Sequence, residues 1–170
     1  MTYTLLLGGA RSGKSALAEE MAKTRREEVV FVATATAEDD EMAERIALHR
    51  RGRPTSWTTV EEPSDLAAAL GRVDADAFVV LDCLTLWVSN LCAEGLDDDT
   101  VLRRGDELAR LLARRPGSGV VVSNEVGSGI VPVDDLARRY RDLLGRVNIG
   151  FATHAERTLL VVAGKTLELR

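Results

Sequence analysis

Short apolar runs alternate along the chain with longer stretches whose apolar residues recur at helical spacing. Residues 3–7, 29–33, 78–81, 120–123 and 158–162 are brief and rich in Val and Leu, with no polar alternation. Strands buried on both faces read this way. Between them, Val101, Leu108, Leu111 and Leu112 share one helical face, and Leu136, Tyr140, Leu143, Leu144 and Val147 share another. Strand and helix in alternation predict an α/β fold, a mainly parallel sheet with helices on both faces. Residues 57–60 add a short strand, and Pro63 and Ser64 open the helix after it. Residues 93–100 form a polar loop. Residues 165–169 form a last strand after a turn at Gly164, giving a C-terminal antiparallel hairpin with the strand before it.

With 170 residues, 45% hydrophobic, the chain suits one folded domain spanning 1–170. There is no internal repeat, linker or low-complexity tract. Aromatics are only 4%, so the core rests on Leu, Val, Ile and Ala. The net charge of −5 argues against nucleic acid as the main partner, which would call for a basic face. Cys83 and Cys92 have neither metal-ligand spacing nor a disulfide context and read as core or near-core thiols. The N-terminal residues have no leader character and no apolar run reaches membrane-spanning length, so the expected location is the cytoplasm.

The first apolar run leads straight into Gly8, Gly9, Ala10, Arg11, Ser12, Gly13, Lys14 and Ser15. This is G-x-x-x-x-G-K-S between a strand and the helix-compatible run 16–21, the context a phosphate loop requires. Glycines let consecutive amides turn inward around an anion, and the following helix adds the positive end of its dipole. Lys14 reaches the outer phosphates of ATP or GTP, and the Ser15 hydroxyl is placed to ligate Mg2+. A second carboxylate for the ion comes from the end of a neighbouring strand. Asp82 is the preferred candidate and Glu125 its competitor. Either acid alternatively caps the helix after its strand.

His49 falls in the last turn of an expected helix over 39–51, ended by Gly52 and Pro54 and flanked by Arg50, Arg51 and Arg53. Neutral imidazole beside an arginine-held phosphate is a competent nucleophile toward phosphorus. A solvated basic helix end explains the same residues through the dipole. His154 reads as a surface or helix-end residue.

Several segments together resemble one family, the bifunctional adenosylcobinamide kinase / adenosylcobinamide-phosphate guanylyltransferases of cobalamin biosynthesis. The resemblance spans nearly the full length. It is carried by G-G-A-R-S-G-K-S, A-T-A at 33–35, D-D-E-M-A-E-R-I-A-L-H-R-R-G-R-P at 39–54 and W-T-T-V-E-E-P at 57–63. L-D-C-L-T at 81–85, S-N-E-V-G-S-G-I-V-P at 123–132 and G-R-V-N at 145–148 complete it.

The resemblance implies a RecA-like P-loop NTPase fold and two reactions. A nucleoside triphosphate phosphorylates the aminopropanol hydroxyl of adenosylcobinamide. GMP from GTP then passes to the new phosphate through a guanylyl-histidine, giving adenosylcobinamide-GDP and pyrophosphate. His49 stands at the position of that histidine. By the same match Ala33, Thr34, Ala35, Arg50, Arg51, Gly52, Arg53, Glu61 and Asp82 line the nucleotide site, with Glu61 or Asp82 on the guanine edge. Relatives often have Glu where this chain has Asp82, and some have a second histidine where it has Leu48. A homotrimer is implied as well. Val126 to Pro132 is the candidate mobile or interfacial loop beside the substrate, its alternative an ordinary tight turn and helix start. The competing readings are a phosphate-loop kinase with no role for His49, or a nucleotide-switched module akin to recombinase-type ATPases.

Overall fold

The computed structural model describes residues 3–35, 44 and 52–170. The expected helix over 39–51, with His49, Arg50 and Arg51, lies outside the described residues except for Glu44, which is helical and exposed. Seven strands form one sheet: β1 (Tyr3–Leu7), β2 (Val29–Ala33), β3 (Thr58–Glu61), β4 (Phe78–Asp82), β5 (Gly119–Val122), β6 (Arg157–Val162) and β7 (Lys165–Leu169). Their order is β3-β2-β4-β5-β1-β6-β7. All neighbours are parallel except β6 and β7, which form the expected antiparallel hairpin.

The helices are α1 (Lys14–Lys23), α2 (Leu66–Leu70), α3 (Leu84–Ala93), α4 (Asp98–Arg114) and α5 (Asp135–His154). Successive strand residues face opposite ways, and the two faces carry different cover. Leu5, Val30, Val32, Val79, Leu81 and Val121 pack with Leu66, Trp87, Leu108, Leu144 and Phe151 of α2 to α5. Leu6, Phe31, Phe78, Val80, Val120 and Val122 pack with Ala18 and Ala22 of α1. Among the described residues, α1 is the one helix on that second face.

Three expectations shift. The loop expected over 93–100 contracts, because Asp97 accepts a hydrogen bond from Thr100 N at 2.8 Å and starts α4, with Asp98 and Asp99 in its first turn. The helix after Pro63 and Ser64 opens instead at Asp65, whose carboxylate accepts from Ala68 N at 3.1 Å. Leu111 and Leu136 lie off the core, 37% and 61% exposed, and α5 instead buries Leu143, Leu144, Val147 and Phe151. Helix α3 was not anticipated from the pattern. It is apolar on most sides, so no polar stripe marks its period.

In a parallel sheet the carboxyl ends of the strands meet on one edge, where doubly wound folds place their ligands. Here the loops leaving those ends are tied to one another. Thr34 N donates to Asp82 O at 3.1 Å, Glu62 N to Ala33 O at 3.0 Å, Ser123 N to Leu6 O at 2.9 Å and Glu125 N to Gly8 O at 3.0 Å.

Candidate active site

The phosphate loop leaves β1 at this edge and turns directly into α1. A Cβ at Gly8 would stand 2.3 Å from the carbonyl oxygen of Val161, so only glycine fits beside β6. Gly13 is the N-cap of α1 and supplies no side-chain cap, and the first turn holds no acid, so its positive end faces the loop unopposed. Lys14 is 6% exposed. Its Nζ donates to Gly9 O at 2.6 Å and to Ser12 Oγ at 3.3 Å. Burial pulls the Lys14 ammonium below the ordinary lysine range, and the charges of Asp82 and Cys83 pull it back up. A desolvated cation folded onto its own loop is poised to exchange those weak partners for phosphate oxygens. Gly9, Ala10 and Arg11 are exposed and Ser15 is half-buried.

The two competing acids differ in what holds them. Asp82 ends β4, level with Ala33 of β2 and Val122 of β5, and its charge acts on Lys14. The Glu125 carboxylate closes its own loop, accepting from Gly127 N at 2.7 Å and from the Ser128 hydroxyl at 2.7 Å. The Ser128 hydroxyl, chiefly, lowers its pKa. Cys83, beside Asp82, is a poor nucleophile: burial pushes its thiol up to about 11. Both cysteines are free and pack against the two cores as expected.

On the far side of β4 the structure places Ala33, Thr34, Ala35 and Glu61 together, Ala33 level with Glu61. Thr34 is fully buried. Its hydroxyl donates to Cys83 O and accepts from Cys83 N, both at 2.8 Å, so this side chain ties β2 to β4. Gly52 is exposed. The Arg53 guanidinium lies 3.4 Å from the Phe31 ring centroid, a cation–π stack. Arg53, Pro54, Thr55, Trp57, Thr59 and Glu61 line an open cavity of about 460 Å³.

Two residues without an assigned role in the sequence reading organise this edge. Asn90 of α3 donates through Nδ2 to Thr34 O and Pro63 O, each at 3.0 Å, joining the loops after β2 and β3. Asn148 of α5 accepts from the buried Ser123 hydroxyl at 2.6 Å and donates to Asn124 O at 3.0 Å. Thr85 and Tyr140 extend this second group, Thr85 Oγ1 accepting from Asn124 N at 2.8 Å and Tyr140 OH donating to Thr85 O at 3.0 Å. Asn148 and Thr85 sit inside the resembling motifs G-R-V-N and L-D-C-L-T, which was a signal. For Asn90 there was none. His154 is a helix-end residue as expected, 3.2 Å from Asp106 and away from this edge. Among the described residues no group of three or more His, Cys, Asp or Glu forms a metal cluster.

Comparison with known proteins decides the lineage. Residues 4–169 match the profile of the family described as cobinamide kinase / cobinamide phosphate guanyltransferase. The chain belongs to this family. It is 46% identical over 169 residues to the bifunctional adenosylcobalamin biosynthesis protein CobP of Pseudomonas aeruginosa, covering 98% of this chain and 96% of that one. It is 40% identical over 179 residues to the bifunctional adenosylcobalamin biosynthesis protein CobU of Salmonella typhimurium, covering 98% of each. As a member of this family it is a transferase, and its family's two activities are kinase and guanylyltransferase. Solved structures share the fold alone. The ADP-bound P4 protein of bacteriophage phi6 gives a TM-score of 0.54 at 17% identity, covering 98% of this chain and 54% of that one. The KaiC-like protein PH0186 of Pyrococcus horikoshii gives 0.54 at 15%, covering 94% and 70%. The sheet is thus of the P-loop NTPase type expected.

Proposed function

We propose that this chain phosphorylates adenosylcobinamide with a nucleoside triphosphate and then transfers GMP from GTP to the product through His49. One catalytic domain carries both steps. The observation that supports this most is the cradle itself: Lys14 buried at the open end of α1, within reach of the charge of Asp82, in a chain that matches the family over residues 4–169.

In the kinase step the substrate hydroxyl oxygen attacks the γ-phosphorus. The bond from γ-phosphorus to the bridging oxygen breaks, the nucleoside diphosphate leaves with that oxygen, and the hydroxyl proton passes to solvent. The transition state is loose, so positioning by the loop amides and Lys14 carries most of the effect. In the guanylyl step neutral His49 attacks the α-phosphorus and pyrophosphate leaves, its charge met by Lys14 and the loop amides. The cobinamide phosphate oxygen then attacks that phosphorus, the P–N bond breaks, and His49 is free again. Arg50, Arg51 and Arg53 meet phosphate charge, and Glu61 or Asp82 offers an acceptor to the guanine edge, Asp82 doing so only in a bound state in which it does not hold the ion.

Hard oxygen donors suit Mg2+. Ser15, in the first turn of α1, and Asp82, whose charge reaches the same loop, fit an ion riding on the phosphates. Bound there, Mg2+ neutralises charge between the phosphates. Glu125 is the weaker ligand, because its carboxylate already closes a loop. Among the described residues no helix is long and apolar enough to cross a membrane, and the cytoplasm is the proposed location. The exposure of Ile130 and Val131, at 98% and 58%, supports an interfacial role for the loop Val126 to Pro132; the trimer rests on the family resemblance, and light scattering would test it.

The deciding experiment incubates the protein and its His49→Ala variant with α-labelled GTP and magnesium, then measures intact mass after denaturation. An acid-labile GMP adduct on the wild type alone is expected. No adduct on a protein that binds nucleotide would leave a phosphate-loop kinase without guanylyl transfer.

A further inference from the structure

Strand β7 has no buried residue; all five of its positions are exposed. A strand that buries nothing gains little from the hydrophobic effect, so its ladder with β6 needs another reason. The reason lies at its turn. Val162 pairs with Lys165, leaving Ala163 and Gly164 as a two-residue loop. Both have positive φ, 50° and 73°, the backbone such tight hairpins demand. Held in this way, the Gly164 amide donates to Ser12 O in the phosphate loop at 2.9 Å. A Cβ on Gly13 would meet Gly164 Cα at 3.4 Å, and one on Gly8 would strike Val161 O. At both ends, therefore, the phosphate loop rests on the backbone of the hairpin.

The geometry points to the β6–β7 turn as a working part of the phosphate site, with Gly164 a positioning residue. It fixes the Ser12 peptide, and with it the direction of the neighbouring amides that face phosphate. The coupling is reciprocal: whatever orders the loop steadies the turn. The inference rests on the phosphate loop binding nucleotide, as proposed above, and on no assumption about the corrinoid.

The test titrates mant-GDP with magnesium against the full chain and two variants. Gly164→Asn keeps the N–H and tolerates positive φ, and its Cβ would meet nothing within 4 Å. Gly164→Pro removes the donor and forbids the turn. Loss of one such hydrogen bond predicts mant-GDP binding weaker by about fivefold or more in Gly164→Pro, with Gly164→Asn within about twofold of wild type. Unchanged affinity in a folded Gly164→Pro would overturn the inference. Should that variant not fold, hydrogen exchange on the wild type decides. The Gly164 amide is expected to slow when GDP saturates the site, and equal exchange with and without GDP overturns the inference. A wild type that binds no mant-GDP would overturn the phosphate-loop reading itself and this inference with it. Binding without coupling overturns this inference alone.

Discussion

Along the carboxyl edge, the phosphate loop and the loops after β2 and β3 are held by different means. On the side of β1, β5 and β6, the phosphate loop is fixed by backbone: Ser123 N to Leu6 O, Glu125 N to Gly8 O and Gly164 N to Ser12 O. On the side of β2, β3 and β4, side chains do more of the holding, with Thr34 bonded to the Cys83 peptide and Asn90 spanning Thr34 and Pro63. In the function proposed, phosphate would be met by amides whose direction only the main chain can set, and the rest of the nucleotide by a surface whose spacing side chains can tune. Mutations on the first side are therefore expected to strike the chemical step as well as phosphate binding, and those on the second to strike binding alone.

The sharpest break of that contrast is Lys14→Ala. It removes the charge that meets the leaving phosphates, and kcat of both half-reactions is expected to fall by about two to three orders of magnitude. Steady-state kinetics of each half-reaction checks it; a normal kcat would sink the assignment. Asn90→Leu keeps the volume but leaves two carbonyls without their donor. It should raise KM for the triphosphate about tenfold with kcat nearly unchanged, the mark of lost uniform binding. A kcat loss without a KM rise would erase the distinction between the two sides. Asn148→Leu strands the Ser123 hydroxyl and Asn124 O in a buried place. Urea denaturation is expected to show a cost of about 1–3 kcal/mol. The smallest effect is a pH dependence. The Glu125 carboxyl lies below the ordinary glutamate value of 4.5. A depressed folded pKa gives stability that is present above the ordinary value and lost as pH falls through the folded one. The stability difference between wild type and Glu125→Ala should therefore be present at neutral pH and vanish in acid, as urea midpoints across pH would show.

This division also explains what the sequence made legible. A backbone-built cradle demands glycines at fixed spacing, so Gly8 to Ser15 announces itself, as do the doubly buried strands around it. The hairpin at Gly164 was readable for the same reason. A side-chain clamp leaves no such trace. Asn90 stands 56 residues from Thr34 along the chain, on a helix too apolar to show a period. Nor did the sequence signal that the hydroxyl of Thr34, read as lining the nucleotide, holds the Cys83 peptide. Leu111 and Leu136 misled because periodicity marks a stripe without marking its edge. His49, Arg50 and Arg51 lie outside the described residues, and their place rests on the family's motif.

The position of β1 in the sheet has a consequence for how the protein is made. Its partners are β5 and β6, so Leu5 must wait for Val121 and Thr158 to be synthesised before its ladder can close. At ordinary elongation rates that wait is roughly ten seconds or more. Until β5 arrives, the apolar strand that leads into the proposed phosphate loop has neither of its neighbours. Nucleotide cannot shelter it, because the cradle does not exist until nearly the last strand arrives. A ribosome-bound chain stalled before β5 is thus a state in which this strand has neither of its neighbours.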